Sequence, residues 1–135
     1  MPVIQQLTVL LEDRPGTLAR ICRALADQKV NILALQSSPS EGRGLLRFIV
    51  DNVAIAKRAL DNEGVSYEET DVAQVRLPHR TGELARVTAR LAEVEININY
   101  AYCGVDPSTS TPLVIFGAAD VAEVAMILDR VAHAA

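Results

Sequence analysis

The sequence contains two versions of one stretch. "EDRPGTLARICRALADQKVNI" runs from Glu12 to Ile32, and "PHRTGELARVTARLAEVEINI" runs from Pro78 to Ile98. They align at an offset of 66 residues, and nine of nineteen positions are identical over Arg14–Ile32 against Arg80–Ile98. Agreement this deep marks an internal duplication, and it constrains the fold strongly, because whatever one half forms the other must form as well. The 135 residues are therefore expected to hold two units, 1–70 and 71–135. A unit of ~65 residues buries a modest share of its surface and gains from a partner.

The repeat extends on both sides. "QLTVLL" (Gln6–Leu11) aligns with "VAQVRL" (Val72–Leu77), so that Leu7, Val9 and Leu11 match Ala73, Val75 and Leu77. Apolar residues at every second position predict a strand. A helix follows in each copy: Leu18, Ile21, Cys22 and Leu25 keep helical spacing in the first, as do Leu84, Val87 and Leu91 in the second. Beyond the shared Asn-Ile come a strand ("VNILALQSS", then "ININYAYCG"), a turn-rich stretch ("PSEGRG", then "GVDPSTSTP") and another apolar strand ("LLRFIVD", then "LVIFGA"). Each copy closes with an Ala-rich amphipathic helix, marked in the second by Val121, Val124, Ala125 and Leu128. "VSYEET" (Val65–Thr70) adds a final strand to the first copy. The order βαββαβ is the split-βαβ, ferredoxin-like arrangement. The expected fold class is thus α+β, with antiparallel sheets carrying their helices on one face.

The second copy has no last strand of its own after "LDRVAHAA". An open sheet edge invites pairing, so exchange of a strand within the chain or a second chain is expected to cover it. The stretch Val65–Leu77 contains neither Gly nor Pro and can run as one ribbon serving both halves.

Composition narrows the function. Half the residues are apolar, which suits a globular protein, and the net charge of -4 argues against a nucleic-acid binder, which needs a basic face. The start "MPVIQQLTVLLEDRPG" has no basic region and breaks its apolar run with Gln5, Gln6 and Glu12, so neither a signal peptide nor a membrane span is expected. Cys22 and Cys103 belong to no metal-spaced pair and are expected to be buried free thiols of a cytoplasmic protein. No Ser-His-Asp set, phosphate loop or metal-spaced cluster is visible; no cofactor or metal is expected, and His133 has no assigned role. Arg20 and Arg86 match between copies and are assigned to solvent, while Tyr100 and Tyr102 read as packing residues on one face of a strand.

The turn "DRPG" carries the most chemistry. Pro15 presets φ near a helix start, Gly16 allows close backbone approach, and the amides of Gly16, Thr17 and Leu18 form an anion-attracting helix start. A turn and helix start with no ligand accounts for the same residues.

"LLEDRPGTLARICRALADQKVNI" in its βαββαβ setting resembles the ACT domain, a small-molecule sensing module of amino-acid metabolism. It is similar to the regulatory domain of 3-phosphoglycerate dehydrogenase and to tandem ACT proteins. The second copy departs from the motif, with His79-Arg80-Thr81-Gly82 in place of Asp13-Arg14-Pro15-Gly16. The resemblance implies binding of a small amino acid where two ACT units meet, without catalysis. It implies a first site formed by Leu11, Asp13, Pro15, Gly16, Thr17 and Leu18, with Asn97 from the facing unit. A second site would join the turn of His79 and Gly82 to Asn31. Asp13 can accept an ammonium group, which the His79 imidazole does poorly, so the first site is the expected amino-acid pocket. Asn31 and Asn97 have a plainer possible use, satisfying backbone groups where a helix turns into a strand. A homodimer and a partner enzyme or regulator are the expected associations. The competing functions are an oligomerising module with decayed pockets and a small ferredoxin-like enzyme.

Overall fold

The computed structural model of the protein describes residues 3–134. Its elements run β1 (Val3–Glu12), α1 (Thr17–Asp27), β2 (Ile32–Ser40), β3 (Arg43–Val50), α2 (Val53–Asn62), β4 (Glu68–Arg76), α3 (Glu83–Glu93), β5 (Tyr100–Asp106), β6 (Thr111–Gly117) and α4 (Val121–Ala134). They form two compact units, one of residues 5–70 and one of residues 71–134 with 3–4. The boundary falls inside β4, which is continuous from Glu68 to Arg76. This strand starts three residues later than the expected ribbon. Val65 is still completing the end of α2, its amide bonded to the Leu60 carbonyl at 3.0 Å. Among the described residues α4 is the last element.

In the unit of residues 5–70, β3 pairs antiparallel with β1 on one side (Leu7 opposite Phe48, Glu12 opposite Arg43) and with β2 on the other (Leu35 opposite Phe48, Ser40 opposite Arg43). The second unit repeats the pattern, with β6 flanked by β4 (Ala73 opposite Phe116) and β5 (Ala101 opposite Phe116). Period two sends Leu7 and Val9 of β1 and Leu46, Phe48 and Val50 of β3 to one face, where they meet Ile21 and Leu25 of α1 and Ala56, Ala59 and Leu60 of α2. The second core is built alike from Ala73, Val75, Val114, Phe116, Val87, Leu91, Val124 and Leu128. Phe48 and Phe116 are fully enclosed, and side chains of this size contribute about 1.5–3 kcal/mol each by leaving water. Ile49 and Ile115, on the opposite faces of β3 and β6, are buried too, in keeping with the unbroken apolar runs of these strands.

Several sequence expectations are corrected. The "PSEGRG" stretch is mostly strand: only Glu41 and Gly42 form the turn, both with positive φ (49° and 80°), the tight hairpin whose twist matches its strands. The second hairpin keeps a longer turn because Asp106 organises it, accepting from Thr109 Oγ1 at 2.7 Å and Ser108 Oγ at 3.1 Å and pairing with Arg76 Nε at 2.8 Å. The strand expected from Ile96 begins only at Tyr100. Glu95 has φ 58° and the Ile96 amide still bonds the Leu91 carbonyl at 3.1 Å, so Ile96 and Ile98 reach the core before any ladder forms. The apolar stripes of α1 and α3 lose their first members: Leu18 is 38% and Leu84 50% exposed, because each stands on the opening turn, beyond the reach of the sheet. Neither cysteine is buried; Cys22 is half-buried, and Cys103 lies on the exposed face of β5 with Ala101 and Val105.

Candidate functional site

The first turn begins where β1 ends. Asp13 and Arg14 bend the chain, Pro15 and Gly16 turn it, and α1 starts at Thr17. Gly16 takes the N-cap position with φ 93° and ψ -14°, a conformation in which a side chain is strained. No atom lies within 4 Å of where its Cβ would be, so backbone conformation, not crowding, requires glycine here. No side chain caps α1. The Thr17 hydroxyl is turned back, bonding the carbonyls of Glu12 and Arg14 at 3.0 and 3.1 Å. By contrast α2 is capped by Asn52, whose Oδ1 accepts from the Ile55 amide, and Asp120 does the same for Glu123 at the start of α4.

A cleft of about 630 Å³ opens beside this turn in the unit of residues 5–70. Leu11 and Thr17 line it, with Glu12, Arg14, Arg20 and Arg43, and its far wall is the stretch from Gly64 to Glu68. Asp13, Pro15, Gly16 and Leu18 do not line it; all four are exposed nearby. Its polar wall therefore carries three guanidinium groups, which sequence reasoning missed. Arg14 pairs with Glu12 at 2.5 Å, an exposed ion pair of little energetic weight.

The second turn has the same backbone. Gly82 has φ 90° and ψ -9°, and α3 also starts without a side-chain cap. Arg80 N bonds the Pro78 carbonyl at 3.0 Å as Arg14 N bonds that of Glu12 at 2.9 Å. Arg86 N bonds the Gly82 carbonyl, and Arg20 N that of Gly16, both at 3.0 Å. The side chains differ. His79 is exposed, and Glu83, at the place of Thr17, is buried beneath two arginines. Its carboxylate accepts from Arg80 Nε at 2.7 Å and Arg86 Nη2 at 2.9 Å. The bonds from Arg86 first, then Arg80, hold the Glu83 carboxyl below the usual carboxylate range.

Asn31 and Asn97 are both exposed. At Asn31 the backbone is served by Asp51, whose Oδ1 accepts from the Asn31 amide at 3.0 Å and whose own amide bonds the Asn31 carbonyl. The side chain of Asn97 donates to Asn99 Oδ1 at 3.2 Å. Among the described residues neither Asn side chain is hydrogen-bonded to a backbone group.

Arg20 and Arg86 are not simply solvated. Arg20 Nη2 donates to the Glu63 carbonyl at 2.5 Å, and Arg86 Nη1 to that of Val131 at 3.1 Å, so each ties its helix to the second helix of its own unit. The signal in the sequence was their alignment at the repeat offset. Among the described residues no group of three His, Cys, Asp or Glu side chains is placed to hold a metal, and no helix is long and apolar enough to cross a membrane. The side chain of His133 lies outside the described residues.

Residues 5–62 match the family model of the ACT domain. No curated protein matches the chain. Among solved structures, protein BT0572 from Bacteroides thetaiotaomicron is 26% identical with a TM-score of 0.83, over 96% of this chain and 88% of that one. The regulatory subunit of aspartate kinase from Thermus thermophilus is 19% identical with a TM-score of 0.63, over 97% of both chains. That from Thermus flavus is 21% identical, also with a TM-score of 0.63, over 99% of this chain and 96% of the other. Residues 5–62 thus have the sequence of an ACT domain, and the chain shares an α+β fold with these regulatory subunits.

Proposed function

We propose that the protein is a non-catalytic regulator built of two tandem ACT units, 1–70 and 71–135, that binds a small amino acid and passes its occupancy to a partner enzyme or regulator. The ligand sits at the first turn, with its carboxylate toward the start of α1 and its ammonium group toward Asp13. Asn97 closes the site from the facing unit, and the working form is a homodimer. The observation that carries this reading is an uncapped, glycine-started helix, within the segment that matches the ACT domain, at the rim of a cleft of about 630 Å³. Supporting it, the motif departs from the family in the second turn, where the protein's own carboxylate, Glu83, already engages the arginines.

Signalling follows from differential affinity: a ligand that bridges two units favours the arrangement in which both contact it, and a partner that distinguishes the arrangements senses the ligand. A thermal-shift screen against the twenty amino acids tests the proposal. A ligand at a hundred times its dissociation constant stabilises by about 2.7 kcal/mol, so one or a few amino acids should raise the melting temperature by several degrees. Silence across the panel would favour an oligomerising module with decayed pockets.

A further inference from the structure

The two turns share a backbone and two arginines, and between those arginines they differ at two places, Pro15 against Thr81 and Thr17 against Glu83. In the second unit Arg80 and Arg86 converge on the Glu83 carboxylate, at 2.7 and 2.9 Å. In the first unit the equivalent arginines are Arg14 and Arg20, and the equivalent of Glu83 is Thr17. Threonine is too short to reach between two guanidiniums, and its hydroxyl is already committed to the carbonyls of Glu12 and Arg14. Arg14 and Arg20 instead line an open cleft, resting against the side chains of Glu12 and Glu63, which are 74% and 38% exposed. Arg43 lines the same cleft, and its side chain has no hydrogen bond or ion pair among the described residues.

We propose that Arg14 and Arg20 form a carboxylate seat in the first unit's cleft, the seat that Glu83 fills from within in the second. A planar guanidinium matches a carboxylate with two donors, and two of them converging neutralise it more fully than helix amides can. The second turn shows that this backbone brings both arginines onto one carboxylate. The seat refines the function proposed above, on which it rests only for the ligand's being a carboxylic acid: the acid group goes to the guanidiniums, and one chain offers one such seat. Arg43 leaves room for a second acidic group on the same ligand.

Acetate, which has a carboxylate and no ammonium group, is the direct probe. The Nε–H resonances of 15N-arginine-labelled protein are followed while acetate replaces chloride at constant ionic strength. Arg14 and Arg20 should shift and saturate, and Arg80 and Arg86 should not respond. Thr17→Glu should weaken the acetate response at Arg14 and Arg20 about tenfold or more by supplying an internal occupant. Glu83→Thr should transfer a saturable response to Arg80 and Arg86. A linear response to salt at Arg14 and Arg20 in the unaltered protein, or equal saturation at all four arginines, would overturn the seat. Acetate saturation without any amino-acid stabilisation would leave the seat standing and sink the amino-acid reading. Amino-acid binding that leaves Arg14 and Arg20 unmoved would do the reverse.

Discussion

The ring of Tyr100 lies flat across Gly117: a Cβ at position 117 would stand 2.2 Å from the ring's Cζ and 2.4 Å from Cε1. The glycine is there to admit the ring, which also stacks on Tyr102 with centroids 6.5 Å apart. The tyrosines therefore pack, as their spacing suggests. Gly117→Ala should cost about 1–3 kcal/mol in urea unfolding, as overpacking does. In a Tyr100→Ala background most of that cost should vanish, giving a coupling of about 1 kcal/mol or more in a double-mutant cycle. Additive effects would refute the contact.

Glu83 should make stability depend on pH. Its carboxyl is held below the ordinary 4.5 by Arg86 and Arg80, so the folded state binds its proton less readily than the unfolded state does. The stabilisation is complete above about pH 4.5 and is lost as the pH falls through the lower folded value. Glu83→Gln should therefore be less stable than the unaltered protein at pH 7, and the gap should close in acid below pH 4.5. Denaturant titrations across that range check it, and a gap that persists unchanged would show that the ion pairs are not its source.

Arg20 and Arg23 stand one turn apart on α1, and Arg20 hydrogen-bonds the Glu63 carbonyl at the end of α2. The bond from Arg20 to the Glu63 carbonyl is charge-assisted but half exposed, so Arg20→Ala should cost about 1 kcal/mol. Arg23→Ala, at an exposed position, should stay within about 0.5 kcal/mol. Equal losses from both would mean that the helix surface matters and the clamp does not.

Gly16 offers a fourth test. Alanine meets no atoms there, but φ 93° strains any side chain, so Gly16→Ala should destabilise by about 1 kcal/mol. Thermal melts give the cost. A neutral outcome would show that the turn relaxes easily, and that its left-handed conformation is not what positions α1.

What the sequence made legible was set by periodicity. Leu7 and Val9 alternate on a strand and Ile21 and Leu25 repeat on a helix, and each pattern has one buried solution. The repeat paired Gly16 with Gly82 correctly because left-handed backbone admits few residues. Sequence reasoning failed where a side chain could do more than one job. Arg20 and Arg86 carry no local sign that they reach a carbonyl more than forty residues away in the chain. The cleft's guanidiniums come from the turn after β1, from α1 and from β3, so no single motif joins all three. Glu83 aligned with Thr17 as an ordinary difference, and its meaning came only with Arg80 and Arg86 folded over it.

Titration calorimetry with the amino acid that most raises the melting temperature, carried out on the unaltered protein, Asn97→Ala and Asn31→Ala, decides whether Asn97 closes a single amino-acid site. One ligand should bind per chain, at least about tenfold more weakly after Asn97→Ala and unchanged after Asn31→Ala. Two equal sites per chain, or equal losses from the two substitutions, would contradict it.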